Sequence, residues 1–112
     1  ESTGVAPGAS VYDVRVLNAA GIGDIAVALA GIDWVIVNAR RYNIRVLNMS
    51  LAADSTETYM TDPLCRAVRN AVAAGITVVA AAGNYVTFGH WNVLSPGTAY
   101  NVLTVGGSVA KI

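Results

Sequence analysis

The chain has 112 residues, room for one domain, and seven Lys plus Arg balance seven Asp plus Glu at a formal net charge of zero. That balance argues against a nucleic-acid binder, which needs a basic patch to displace counterions from phosphate, and removes the usual polybasic route to an anionic membrane surface. Apolar residues make up 54% and charged residues 12%, about half the usual charged share of roughly 25%, so the chain can bury enough apolar surface to fold rather than stay disordered.

Residues 1–4 (ESTG) read as loop-like. Residues 11–17 (VYDVRVL) alternate Asp13 and Arg15 against Val14 and Val16 and predict a first strand. Residues 18–23 (NAAGIG) form a loop, and Asp24 can cap a helix through its carboxylate. Ile25, Ala28, Leu29, Ile32, Val35 and Ile36 then recur at helical spacing, with Arg40 and Arg41 in the last turn where cations suit the helix dipole. Its broad apolar circumference predicts a well-buried helix. Asp33 interrupts the most apolar stretch, residues 25–37, and a membrane span needs about 20 apolar residues, so no membrane segment is expected.

Residues 44–51 (IRVLNMSL) predict a second strand and residues 52–61 a polar loop. Asp62-Pro63 is a helix start, an N-cap followed by proline at the first helical position. Leu64, Ala67, Val68 and Ala71 form the inner stripe of that helix, and Gly75 ends it. Residues 76–81 (ITVVAA) are a continuous apolar run, as in a strand covered on both faces. Residues 84–101 form a long loop, and a fourth strand covers 102–105. Strand and helix in alternation give an α/β class with a parallel sheet, where ligands bind beyond the C-terminal ends of the strands. Between residues 71 and 110 there is no Asp, Glu, Lys or Arg. Such a region is either interior surface of something larger or a surface solvated by Ser, Thr and Asn.

Four patterns offer chemistry. Gly21, Ile22, Gly23, Asp24, Ile25 and Ala26 fit G-x-G-x-x-A between a strand and a helix, the pattern of a dinucleotide site. Three residues intervene after the strand, however, and no acid stands about 20 residues further on to hold a ribose. His90 is the single histidine, Cys65 lies on another element, and no second ligand pair accompanies them, so no metal site is expected; His90 is expected to pack on Trp91 and Cys65 to act as a small core hydrophobe. The lone cysteine cannot close an internal disulfide. Ser108 in GGSVA lacks a following helix to face a developing charge. Finally, VAAAGN (79–84) and LNMSL (47–51) set small residues and the Asn84 amide at strand C-termini. Small residues leave a cleft, and an amide there either closes a turn or donates to an oxyanion.

In order along the chain, GVAPGA, VRVL, YNIRVLNMSL, DPLCRAV, GITVVAAAGN and SPGTAYNVLTVGG resemble the middle of the catalytic domain of subtilisin-like serine proteases (peptidase S8). The resemblance runs over essentially all of residues 1–112 and implies the central part of such a domain, a partial three-layer αβα parallel sheet. It implies that Asn84 is the oxyanion-hole asparagine. It implies that Ser50, Leu51 and Ala52 pair with the substrate backbone and wall the S1 pocket, with Ala81, Ala82 and Gly83 on the opposite wall and Gly21, Ile22 and Gly23 as the other substrate-pairing edge of an S1–S4 cleft. Ala52 stands where the family has glycine, which narrows the S1 mouth.

The family's aspartate and His-Gly-Thr-His motifs would lie upstream of Glu1 and its Gly-Thr-Ser-Met-Ala motif downstream, so the segment alone is expected to be inactive. The resemblance further implies a peptide or protein substrate and secretion. It implies no cofactor in this segment, with the family's calcium sites falling mostly outside the residues present. The expected partners are the remaining segments of the parent domain or a second copy. The alternative from another class is a non-catalytic α/β module that binds extended peptide. In the family's sheet the strand at 11–17 does not neighbour the strand at 44–51, so the two are not expected to pair.

Overall fold

A computed structural model describes residues 3–84, 86–87, 90–91 and 93–108, with the backbone alone at 86–87 and 90–91. Its first regular element is set by a cap. The Asp24 carboxylate accepts the Ala26 N–H at 2.7 Å and starts helix α1 (Ile25–Tyr42), satisfying a donor that has no partner inside the helix. Asn43 ends it in the left-handed region at φ 53°, its N–H turned back to the carbonyls of Ala39 and Arg40.

The expectation that α1 is well buried is corrected. Ala28, Ile32 and Val35 are buried, but Ile25, Val27, Trp34 and Val37 are exposed, Val37 at 71%. Ala28, Ile32 and Val35, at i, i+4 and i+7, reach the core, Leu29, Ile36 and Ala39 are half-buried against it, and Trp34 stacks on Tyr42 at 5.9 Å, which leaves Val27 and Val37 facing outward.

The first expected strand is also corrected. Residues 11–17 form no strand and join no ladder. Their alternation survives in another form, because Val14 and Val16 are half-buried while Asp13 and Arg15 are exposed. Both valines lean on α1 at Gly31, where an added Cβ would lie 2.8 Å from Val16 Cγ1 and 3.3 Å from Val14 Cγ1. A ladder needs a second strand about 4.8 Å away, and among the described residues none flanks this segment. As expected, it does not pair with the second strand.

The remaining elements are β1 (Val46–Met49), α2 (Pro63–Ala73), β2 (Thr77–Ala81), the two-residue strands β3 (Val86–Thr87) and β4 (His90–Trp91), and β5 (Leu103–Val105). β3 and β4 form a short antiparallel pair inside what the sequence presents as an unbroken loop. β1, β2 and β5 form a parallel sheet in that order, with Val46 opposite Thr77, Met49 opposite Ala80, and Ala81 opposite Val105. Residues in register share a face. Met49, Val78 and Ala80 face the helices and are at most 5% exposed, whereas Val46, Leu103 and Val105 on the other face are 58%, 60% and 58% exposed. The chain thus shows the parallel α/β sheet with one helical layer, a part of the three-layer arrangement.

Helix α2 carries the densest burial. Leu64, Cys65, Val68 and Ala71 are each at most 2% exposed and pack with Ile32, Val35, Ile76 and Val78 in one core cluster. Cys65 is a free thiol within that core. Asp62 caps α2 by accepting the Cys65 N–H at 3.1 Å, with Pro63 in the first turn, and the helix closes at Ala74. Asp62 is itself buried, and its Oδ1 also accepts the Ser95 hydroxyl at 2.7 Å. The Cys65 Sγ lies 3.2 Å from Thr98 Oγ1 and 3.7 Å from Ser95 Oγ, so residues 62–65 and 95–98 are held together. Burial pushes the Asp62 carboxyl up, but hydrogen bonds from the Ser55 and Ser95 side chains and from the Cys65 and Leu64 N–H groups outweigh it and hold the group below the usual aspartate value.

Two outcomes follow for stability. Ile32→Ala empties a site that is 3% exposed and should cost about 2–5 kcal/mol in denaturant unfolding, against less than about 0.5 kcal/mol for Val37→Ala on the exposed side of the same helix. Because the Asp62 value is lowered by folding, its contribution is fully present above the unfolded-state value of about 4 and is lost as pH falls through the folded-state value. Unfolding midpoints followed into acid should drop in that window, and drop less in Asp62→Asn, whose amide keeps the acceptor without titrating.

Candidate functional site

Parallel strands bring their C-terminal ends to one edge of the sheet, so the loops after β1 and β2 meet there. The loop before α1 joins them. It is shaped by Asn18, whose Oδ1 accepts the N–H groups of Ala20 at 2.9 Å and Ile22 at 3.0 Å, while its own N–H donates to the Ile22 carbonyl at 2.8 Å. This Asx-type closure holds Gly21, Ile22 and Gly23 in place without a ladder.

The three loops surround a cavity of about 450 Å³. Gly21, Ile22 and Gly23 line one side, Ser50, Leu51 and Ala52 another, and Ala81, Gly83 and Asn84 a third. Of the cleft residues that the resemblance implies, Ala82 alone is off the lining. Its backbone is used instead to hold the wall, the N–H donating to Val105 at 2.9 Å and the carbonyl accepting from Leu94 at 2.8 Å. Asn84 is exposed at the rim, where a primary amide offers two N–H donors. The Ser50 hydroxyl accepts the Asn48 Nδ2–H at 3.1 Å, which orients it.

Leu17, Asp24, Ile25, Ala28, Ala53, Leu64 and Leu94 also line the cavity and are not among the cleft residues that the resemblance implies. Gly23 leads directly into Asp24 and the first turn of α1, so contiguity could have indicated those residues. Leu94 had no such signal, since it lies in a segment without periodicity and arrives by a long-range contact. It packs on Gly83, which sits at φ +105°, and a Cβ added there would come within 2.8 Å of the Leu94 side chain. Gly83 therefore serves both the left-handed turn and the close approach. Opposite it, Ala53 donates its N–H to the Ser95 carbonyl at 2.8 Å in an isolated antiparallel bridge.

Asp24 is the charged residue on the lining, and its carboxylate is engaged in capping α1. The cavity is otherwise walled by small and apolar side chains, with backbone on opposite sides and an amide at the rim. Such a shape admits an extended chain carrying an apolar side group. Ser108 is exposed and off the lining. The packing expected of His90 on Trp91 concerns side chains outside the described residues. Among the described residues no group of three or more His, Cys, Asp or Glu gathers as metal ligands, and no helix is long and apolar enough to cross a membrane.

Comparison with known proteins gives the family. The subtilase family model of peptidase S8 matches residues 1–111. The chain is 39% identical over 106 residues to subtilisin DY of Bacillus licheniformis, covering 95% of this chain and 36% of that protein. It is 38% identical over 112 residues to the serine protease AprX of Bacillus subtilis (strain 168), covering 92% of this chain and 24% of the relative. The extracellular serine proteinase of Thermus sp. (strain Rt41A) is 43% identical over 81 residues, 72% of this chain and 18% of that protein. Among solved structures, sphericase superposes with a TM-score of 0.64 at 26% identity over 80% of this chain and 27% of its own. The chain thus spans between 18% and 36% of the length of these curated relatives. With the family model matched over residues 1–111, the motifs in order and the fold shared, the chain belongs to the subtilase family of serine proteases.

Proposed function

We propose that this chain is the central segment of a subtilisin-like serine endopeptidase, supplying the oxyanion-hole amide and part of the substrate cleft. The observation that carries the reading is the grouping of Asn84 with residues from three separate loops around one cavity. An extended peptide enters between the 21–23 loop and the 50–52 segment, adding its backbone to those edges as a strand adds to a sheet. Its side chain before the scissile bond descends between Leu51 and Ala52 on one wall and Ala81 and Gly83 on the other. The Ala52 methyl narrows the mouth and disfavours the largest aromatic groups.

When a nucleophile attacks the carbonyl carbon, negative charge gathers on the oxygen. The Asn84 amide then donates to that oxygen in preference to the neutral carbonyl, which lowers the barrier rather than tightening substrate binding. The nucleophile and its coupled base come from parts of the parent protein outside this chain, so the segment alone does not turn over peptide. No step is routed through a metal, and calcium is proposed for the parent protein alone. Secretion is proposed from the extracellular relative.

The remaining segments of the parent domain, or failing them a second copy, cover the apolar sheet face at Val46, Leu103 and Val105. Purified alone, the 112-residue chain should therefore associate as its concentration rises in size-exclusion chromatography. A monomer that persists at high concentration counts against the covered face.

In the full-length protein, Asn84→Ala should lower kcat on a chromogenic peptide by about 10² to 10³ with little change in KM. That magnitude is the one known for removing an oxyanion donor in a member of this same family, and is carried over rather than calculated. An unchanged kcat removes the oxyanion role, and peptide binding without turnover by the full-length protein favours the non-catalytic module.

A further inference from the structure

Outside the cavity lies a buried polar group that the proposed chemistry does not use. Capping a helix requires no buried charge, since an exposed Ser, Thr or Asn does it equally well. Asp62 is nevertheless 3% exposed, and its Oδ1 accepts from two elements at once, the Cys65 N–H of α2 at 3.1 Å and the Ser95 hydroxyl at 2.7 Å. The second bond joins residues 33 apart in sequence and is charge-assisted, the stronger kind.

Ser95 in turn stands between the two walls of the cavity. Its carbonyl accepts the Ala53 N–H at 2.8 Å, and the N–H of the preceding residue, Leu94, donates to the Ala82 carbonyl at 2.8 Å. Ala53 and Leu94, reached through these two bonds, both line the cavity, as does Leu64 in the helical turn that Asp62 caps. We propose that Asp62 is a positioning residue for the cleft: its hydrogen bond to Ser95 fixes the separation of the two walls, and hence the fit of the substrate side chain between them. This rests on reading the cavity as the peptide cleft. A purely structural bond would influence unfolding alone. A positioning bond also influences discrimination between substrates that fill the cavity and substrates that do not.

The test uses the full-length protein and two chromogenic peptides, one with an apolar side chain before the scissile bond and one with glycine there. Ser95→Ala keeps the helix cap and removes the tether. It should raise KM for the apolar peptide by up to about tenfold, the ceiling set by the worth of one charge-assisted hydrogen bond, while kcat and the glycine peptide change little. Hydrogen exchange at the Ala53 and Leu94 amides should quicken in the same variant. Asp62→Ala should show the same selective effect together with a lower unfolding midpoint. Asp62→Asn retains an acceptor and a good cap and should restore the KM ratio to within about threefold of the parent.

A fall in unfolding midpoint with the KM ratio and both amides unmoved overturns the proposal and leaves Asp62 a stabilising group only. Absence of hydrolysis by the unmodified full-length protein overturns the peptidase reading instead. Exchange at Ala53 and Leu94 then still decides whether the tether sets the walls.

Discussion

The buried stripe of α2 against β2 organises the rest of the molecule. Leu64, Cys65, Val68 and Ala71 are almost wholly removed from water, as are Ile76 and Val78 in the segment that follows. Burial on this scale is the main favourable term in folding. It is also directional here, because a helix with one apolar stripe has a single way to lie on the sheet. Once α2 is seated, β2 must start just beyond Gly75, and the crossover sets β1 and β2 parallel in register. Their C-terminal ends are then level. The cavity is a consequence, since the loops that leave those ends have nowhere else to converge.

Local chemistry was readable wherever it was local. Asp24 and Asp62-Pro63 announce their helices because a cap is a contact over two or three residues, and Gly75 announces a stop for the same reason. The strands at 46–49 and 77–81 were readable from their apolar runs. Residues 11–17 misled because alternation reports only that one side of a segment is buried. Val14 and Val16 satisfy that against a helix just as they would within a sheet. The breadth of apolar residues on α1 misled in the opposite direction, since it reports what the helix can bury and not what lies beside it. Of the site, the glycines and the amide were readable through small residues at strand ends. Leu94 and the Asp62–Ser95 bond were not, because both join positions far apart in sequence and neither leaves a period or a spacing.

The sheet's two faces explain the composition of the second half of the chain. Between residues 71 and 110 the sequence carries no charge, and composition left open whether that region is interior or a polar surface. On the helix-covered face Val78 and Ala80 are 1% exposed, which is interior. On the other face Leu103 and Val105 are exposed and apolar, which no solvated surface requires. A parallel sheet buried on both sides is written in continuous apolar runs. TVVAA in β2 and LTV in β5 are such runs, with Thr as their only polar side chain. The absence of charge within β2 and β5 thus fits the second cover proposed for this face.

The same sheet explains why a donor at residue 84 is well situated for the role proposed for it. Stabilising a transient charge depends on a donor that is already in position and does not have to reorganise as the charge appears. Asn84 follows β2, the central strand, which is hydrogen-bonded to β1 on one side and β5 on the other and covered by α2. Between strand and amide lie Ala82, held by backbone bonds to Val105 and Leu94, and Gly83, set at φ +105° against the Leu94 side chain. An amide three residues beyond a strand would ordinarily swing with its loop. Here both intervening residues are anchored, Ala82 by Val105 and Leu94 and Gly83 by Leu94 again, so the backbone stays tied to the sheet as far as residue 83. The small side chains that open the cleft therefore also let the backbone that leads to Asn84 pack closely against Leu94 and Val105.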